Sequence, residues 1–170
     1  MAVENKVITQ NATSAAAYLG EASLFTGQVK KRVSFSFEVA AADDDGSIYG
    51  IAEIPVNAKD VVVTQMNDGI TSGTDYDTGY YQVAVSNGGV KTAGTVVDKA
   101  CIADGTDNSS ARTTSPLITT PLVANIGKKA WEIAGLSAQP TYPTFLLALT
   151  ANTVGSAAGT IGGFVDYTEL

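Results

Sequence analysis

The stretch from Ser47 to Ser86 constrains the fold more than any other part of the chain. It holds three runs rich in β-branched and aromatic residues: Ser47 to Ile54, Lys59 to Met66 with Val61-Val62-Val63, and Asp77 to Ser86 with Tyr80, Tyr81, Val83 and Val85. Pro55, Asn57 and Ala58 separate the first two, and Asn67-Asp68-Gly69 closes the second. Such residues fit a pleated, half-buried surface, whereas Gly, Pro, Asn and Asp bend the chain between runs. The pattern predicts three strands joined by two turns. The longer connection, Asn67 to Thr78, is too polar for a core and too long for a tight hairpin, and is expected to cross between sheets.

The flanking sequence extends this reading. From Gln28 to Ala40, Val33, Phe35, Phe37 and Val39 alternate with Arg32, Ser34, Ser36 and Glu38. That period of two places one face on a core and one in water. Asp43-Asp44-Asp45-Gly46 reads as a turn, because aspartate side chains bond nearby backbone and glycine accepts a positive φ. Asn87-Gly88-Gly89 is a further turn. A short helix is predicted over Val96 to Ala103 and another over KKAWEIAGL, residues 128–136. PLITTPLVAN, residues 116–125, has two prolines and suits an edge or a connection. Thr141 to Thr150 and Thr160 to Tyr167 complete the strands, the last with Ile161, Phe164 or Val165, and Tyr167 inward. Its Gly162-Gly163 pair predicts a bulge or a close backbone approach. No strand–helix–strand alternation appears, so an antiparallel β-sandwich of jelly-roll type is expected for residues 29–170.

Residues 1–28 read as an N-terminal arm rather than core. Val7, Ile8, Tyr18, Leu19, Leu24 and Phe25 dot it with apolar side chains that could dock on a partner subunit; a frayed terminus would look similar.

Composition excludes several functions. The chain has no histidine, which removes serine–histidine catalysis and histidine zinc sites. A net charge of −7 disfavours nucleic acid and anionic membranes as partners, since both call for a basic patch. The basic cluster Lys30-Lys31-Arg32 reads as a solvated strand end. No apolar run reaches the roughly 18 residues of a membrane span. One cysteine, Cys101, cannot form an internal disulfide, and MAVENKVITQ lacks a secretory pattern, so the chain is expected to be made and kept, or assembled, in a reducing cytosol. Only 16% of residues are charged, against an ordinary ~25%, which fits either a surface covered by a partner or a Ser/Thr/Asn-rich β surface.

Candidate chemistry is thin. Asp75 and Asp77, two apart on an extended segment, would point the same way, as a paired-carboxylate site requires. Asp43-Asp44-Asp45 and the loop Asp104 to Ser110 offer oxygen ligands, but neither has the spacing of a calcium loop. Cys101 reads as a small buried hydrophobe, lacking a base and an electropositive setting. Trp131 reads as packed on the sandwich, with sugar stacking as the sharper alternative. No catalytic residue, metal or cofactor is expected.

Four segments together resemble a group of tailed-bacteriophage virion proteins encoded near the major capsid gene. They are Ser47 to Val61, close to the form S-x-I/Y-x-x-A-x-I-P-x-x-A-x-V but with one extra residue, Asp60, before the valine; Asp77-Thr78-Gly79-Tyr80-Tyr81; Trp131-Glu132-Ile133-Ala134-Gly135-Leu136; and Ala158 to Tyr167. Gly162-Gly163 departs from the polar or β-branched residues usual there. The resemblance spans most of residues 29–170. It implies a non-enzymatic capsid decoration or cement protein, a homotrimer on the outer capsid surface, bound to the major capsid protein and made in the host cytoplasm. A receptor- or carbohydrate-binding module on a tail or head fibre is the rival, with Trp131, Tyr76, Tyr80 or Tyr81 on an exposed face. A carboxylate glycosidase around Asp75 and Asp77 is the remaining alternative.

Overall fold

Side chains that alternate in character along the sequence alternate between core and solvent in space. In the computed structural model, which describes residues 5–6, 29–70, 74–86, 88–119 and 122–169, β2 (Val29–Val39) buries Phe35, Phe37 and Val39 and exposes Ser34, Ser36 and Glu38. It follows a two-residue strand, β1 (Asn5–Lys6), and leads into β3 (Ile48–Pro55), β4 (Lys59–Asn67), β5 (Asp75–Val85), β6 (Lys91–Thr106), β7 (Leu117–Thr119), β8 (Thr144–Thr153) and β9 (Gly159–Glu169). A 3-10 turn, Val123–Asn125, and one helical turn, α1 (Ala130–Ile133), lie between β7 and β8.

The strands form a five-stranded sheet, ordered β1-β3-β8-β5-β6, and a four-stranded sheet, ordered β2-β9-β4-β7. β1 runs parallel to β3 and the other pairings are antiparallel. β2 pairs with β9, β3 with β8, β4 with β7 and β5 with β6. The chain is thus one long hairpin, closed at the β5–β6 turn and rolled into two layers. The expected sandwich is present, and the connection after Asn67 does cross from one sheet to the other.

The core lies between the layers. Tyr49, Tyr76, Tyr80, Phe145, Leu147 and Leu149 from the larger sheet meet Phe35, Phe37, Val61, Ile161 and Val165 from the smaller. Phe37 and Tyr49, on consecutive strands of different sheets, stack with ring centroids 4.6 Å apart. The turn between them is built by its aspartates. Asp43 accepts the Ala40 N–H and the Tyr49 hydroxyl, Asp45 accepts the Val154 N–H, and Gly46 takes φ +87°.

Two local readings change. Val96 to Ala103 is strand, not helix, and lies within β6. The register of β5 against β6 shifts four times between Tyr76 and Val83, so the inward positions of β6 do not keep a period of two. On β9 Val165 faces the core, while Phe164 points out beneath the Arg32 guanidinium, 5.0 Å from the ring centroid. The Gly162-Gly163 pair marks a close approach: the β2–β9 register runs through it without a shift. α1 docks on the β3–β4 corner, the Ala130 N–H donating to Ala58 O and the Trp131 N–H to Val56 O. Gly135, at φ +71°, ends it.

Candidate functional site

Asp75 and Asp77 do fall together at the start of β5, but Asp77 is already committed. Its carboxylate is almost wholly buried, accepts the Gly105 N–H at 3.1 Å and pairs with Lys99 Nζ at 3.1 Å. Burial pushes its pKa up. Hydrogen bonds from Asn152, Gly105 and Lys99 outweigh that and hold the acid below its ordinary value. A glycosidase's general acid must rest protonated, which needs the opposite shift; Asp77 rests as carboxylate. Both groups lie against the β6 end near Gly105.

The loop after β6 uses its oxygens on itself. Asp107 accepts the Ser109 N–H, the Ser109 hydroxyl and the Thr74 hydroxyl, and these bonds hold its carboxyl low. Asn108 is fully buried, accepting from Gln65 Nε2 at 2.7 Å and from Arg112 at 3.2 Å. The arrangement ties the β4–β5 crossing to the β6–β7 connection. Among the described residues, no cluster of three metal-ligating side chains occurs. Cys101 packs partly buried against the core, and burial with the negative charge of Asp98 pushes its thiol up to about 12. That is the signature of an inert cysteine.

The aromatic platform needed for sugar stacking is not formed by the residues considered for it. Tyr76 and Tyr80 are fully buried and Tyr81 is 2% exposed. β5 is an interior strand, flanked by β8 and β6, and its outward side chains Asp77 and Tyr81 are themselves buried, Tyr81 with its hydroxyl bonded to Thr150. Trp131 lies partly buried against the core, as packing predicts. Val7, Ile8, Tyr18, Leu19, Leu24 and Phe25 of the arm lie outside the described residues.

The surface offers instead two groups of exposed apolar side chains that sequence reading missed. After β7, Val123 is 86% exposed and Leu122 and Ile126 are each 74% exposed, with Ile118 nearby in sequence. At the β5–β6 turn Val85 and Val90 are exposed, and so is Val96 farther along β6, opposite Tyr81. The prolines at 116 and 121 hid the first group, because they read as a connection and not as a surface. On the outer face of the four-stranded sheet, a shallow groove of about 440 Å³ runs over Gly162 and Gly163 between Ser34, Ser36, Met66 and Phe164. A third arrangement was also missed apart from its aspartate. Lys99 on β6, Asp77 on β5 and Asn152 on β8 touch one another on the outer face of the larger sheet. Only pairing of distant strands brings them together.

These features define an all-β sandwich in which Asp43, Asp45, Asp77 and Asp107 are bonded within the chain's own turns and pairings, while the buried Asp75 Oδ1 has no partner among the described residues. Its exposed apolar residues include Leu122, Val123 and Ile126 after β7 and Val85 and Val90 at the β5–β6 turn. The chain is similar to a chain in the capsid of Ralstonia phage GP4, at 15% identity over 82% of this chain and 85% of that one, with a TM-score of 0.49. It is also similar to a chain of the cyanophage Pam1 capsid asymmetric unit, at 16% identity over 84% and 85%, with a TM-score of 0.44. No family model and no curated protein matches. Likeness at this level carries no argument about function, which rests on the residues above.

Proposed function

We propose that the protein is a non-enzymatic structural component of a bacteriophage virion, a decoration or cement protein that binds the outer capsid surface through the major capsid protein. The observation that carries this reading is the gathering of exposed apolar side chains at Leu122, Val123 and Ile126 and at the β5–β6 turn. Contiguous exposed apolar surface marks contact with another macromolecule. The sequence resemblance supports it. Two of its segments meet in space, since α1 of the Trp131–Leu136 segment bonds to the backbone of Val56 and Ala58. We read the rolled-hairpin wiring as a jelly roll, an architecture used by capsid proteins. Residues 1–28, of which Asn5–Lys6 add an edge strand to the chain's own larger sheet, otherwise act as an arm that staples neighbours, and the working form is a homotrimer made in the host cytoplasm. Many modest contacts then add to firm attachment.

The test is co-sedimentation of purified protein with empty heads of the encoding phage that lack it. Wild type is expected to pellet with the heads. Deletion of residues 1–25, or Val123→Asp with Ile126→Asp, is expected to leave a folded protein in the supernatant. Binding retained by both variants overturns the reading.

A further inference from the structure

On the outer face of the five-stranded sheet, Lys99 Nζ lies 2.5 Å from Asn152 Oδ1 and 3.1 Å from Asp77 Oδ2. The Asn152 side chain is also hydrogen-bonded to Asp77. β5, carrying Asp77, lies between β6 with the amine and β8 with the carboxamide. We propose that Lys99 and Asn152 join in a side-chain amide crosslink that the protein forms by itself, with Asp77 as the proton-transfer group.

The atoms balance without an oxidant or cofactor. Lys99 Nζ starts with three protons and passes one to Asp77. The neutral amine adds to Cγ of Asn152 and negative charge develops on the carboxamide oxygen, while protonated Asp77 faces Nδ2, the group that donates to it in the resting site. The adduct collapses by breaking the Cγ–Nδ2 bond. Nδ2 takes the second proton from the adding nitrogen and leaves as ammonia, and the third stays on the new amide. The departing ammonia carries off the proton held by Asp77, which returns to carboxylate.

Three features favour the step. The reacting groups are held in contact by strands, which removes the entropy of bringing them together. Asp77 is 3% exposed and rests as carboxylate, so a proton acceptor is already in contact with the Lys99 amine, whose side chain is 46% exposed. The reaction happens once per molecule and its ammonia is lost, so a small neutral population suffices. Gly79 makes the geometry possible: a Cβ there would stand 2.1 Å from Asp98 O, so only glycine lets β6 lean over β5 and bring Lys99 across. The product would bolt β6, the sheet's edge strand, to β8.

Intact mass spectrometry of the purified full chain decides the matter, whatever the protein's role in a virion. Wild type is expected one ammonia lighter than its sequence, with a protease digest yielding a branched peptide that joins Lys99 to Asn152. Lys99→Arg and Asp77→Asn are each expected at the full sequence mass. Wild type at full mass after prolonged incubation overturns the crosslink. So does an ammonia loss that maps to succinimide at Asn87-Gly88 and yields no branched peptide. Equal conversion in Asp77→Asn overturns the role of Asp77.

Discussion

Gly163 on β9 lies directly against Thr64 on β4: a Cβ built on the glycine would stand 1.9 Å from the Thr64 carbonyl oxygen. The obstacle is backbone in a central strand of the smaller sheet, so it cannot rotate away as a side chain would. Gly163→Ala is therefore expected to force β4 and β9 apart and to cost about 3 kcal/mol or more, the upper part of the range for overpacking. Urea denaturation checks it. An Ala variant within 1 kcal/mol of wild type would mean that the two strands are not this close.

Tyr80 and Tyr81 are neighbours with opposite hydroxyl environments. The Tyr81 hydroxyl shares a 2.6 Å hydrogen bond with Thr150, whereas the buried Tyr80 hydroxyl has no partner among the described residues. Leaving a buried polar group unpaired costs about 1–3 kcal/mol, and a satisfied hydrogen bond contributes about 1 kcal/mol. Tyr80→Phe is expected to be neutral or stabilising by about 1 kcal/mol, and Tyr81→Phe destabilising by about 1 kcal/mol. Thermal melts of the two variants side by side test the contrast, and a reversed order refutes it.

How much of this was legible in the sequence depends on how local the cause is. β2 could be read from its strict alternation, and the Asp43–Gly46 turn from residues that bond their own backbone. β6 was misread because its four register shifts against β5 break the periodicity by which a strand is recognised. Tyr76 and Tyr81 looked available for a ligand because their strand's place inside the sheet is a property of the topology. Of the Lys99, Asp77 and Asn152 group, only Asp77 stood out, beside Asp75. The other two gain meaning when β6, β5 and β8 lie side by side. The polar connection after Asn67 was rightly placed between sheets, but its anchoring by Asn108 was not visible.

The alkaline limb of stability follows from groups whose proton the fold retains. Burial, then the Asp98 charge, raises the Cys101 thiol to about 12, against about 8.5 in an unfolded chain. Between those values the unfolded state has lost a proton that the folded state keeps, so rising pH favours unfolding. The stabilisation is complete below about pH 8.5 and declines above it. Burial raises Tyr49, Tyr76 and Tyr80 in the same sense, so they add to the decline from about pH 10. Under reducing conditions, urea midpoints are expected to fall over this range. Cys101→Ala should flatten the first part of the fall and leave the tyrosine part. An identical pH profile for that variant refutes the assignment.

Asn108 holds two connections at once. Its side chain accepts from Gln65 Nε2, its backbone N–H donates to Thr74 Oγ1, and its carbonyl accepts the Ile70 N–H at 3.0 Å. Asn108→Ala would keep both backbone bonds and leave the buried Gln65 amide without that acceptor, at a cost of about 1–3 kcal/mol. The cost is offset in part because the substitution also removes the buried Asn108 Nδ2, which has no partner among the described residues. Because Arg112 also bonds the Asn108 side chain and Asn67, the loss is expected to spread along the residue 107–112 connection and the β4 end. Hydrogen exchange should quicken at Ile70 and Arg112, whose N–H groups bond to Asn108 O and Asn67 O, while Leu147 and Leu149 in the core keep their protection. Uniform acceleration across both sheets would show instead that Asn108 supports the whole fold. Unchanged exchange at Ile70 and Arg112 would show that the side-chain network contributes nothing to holding the crossing in place.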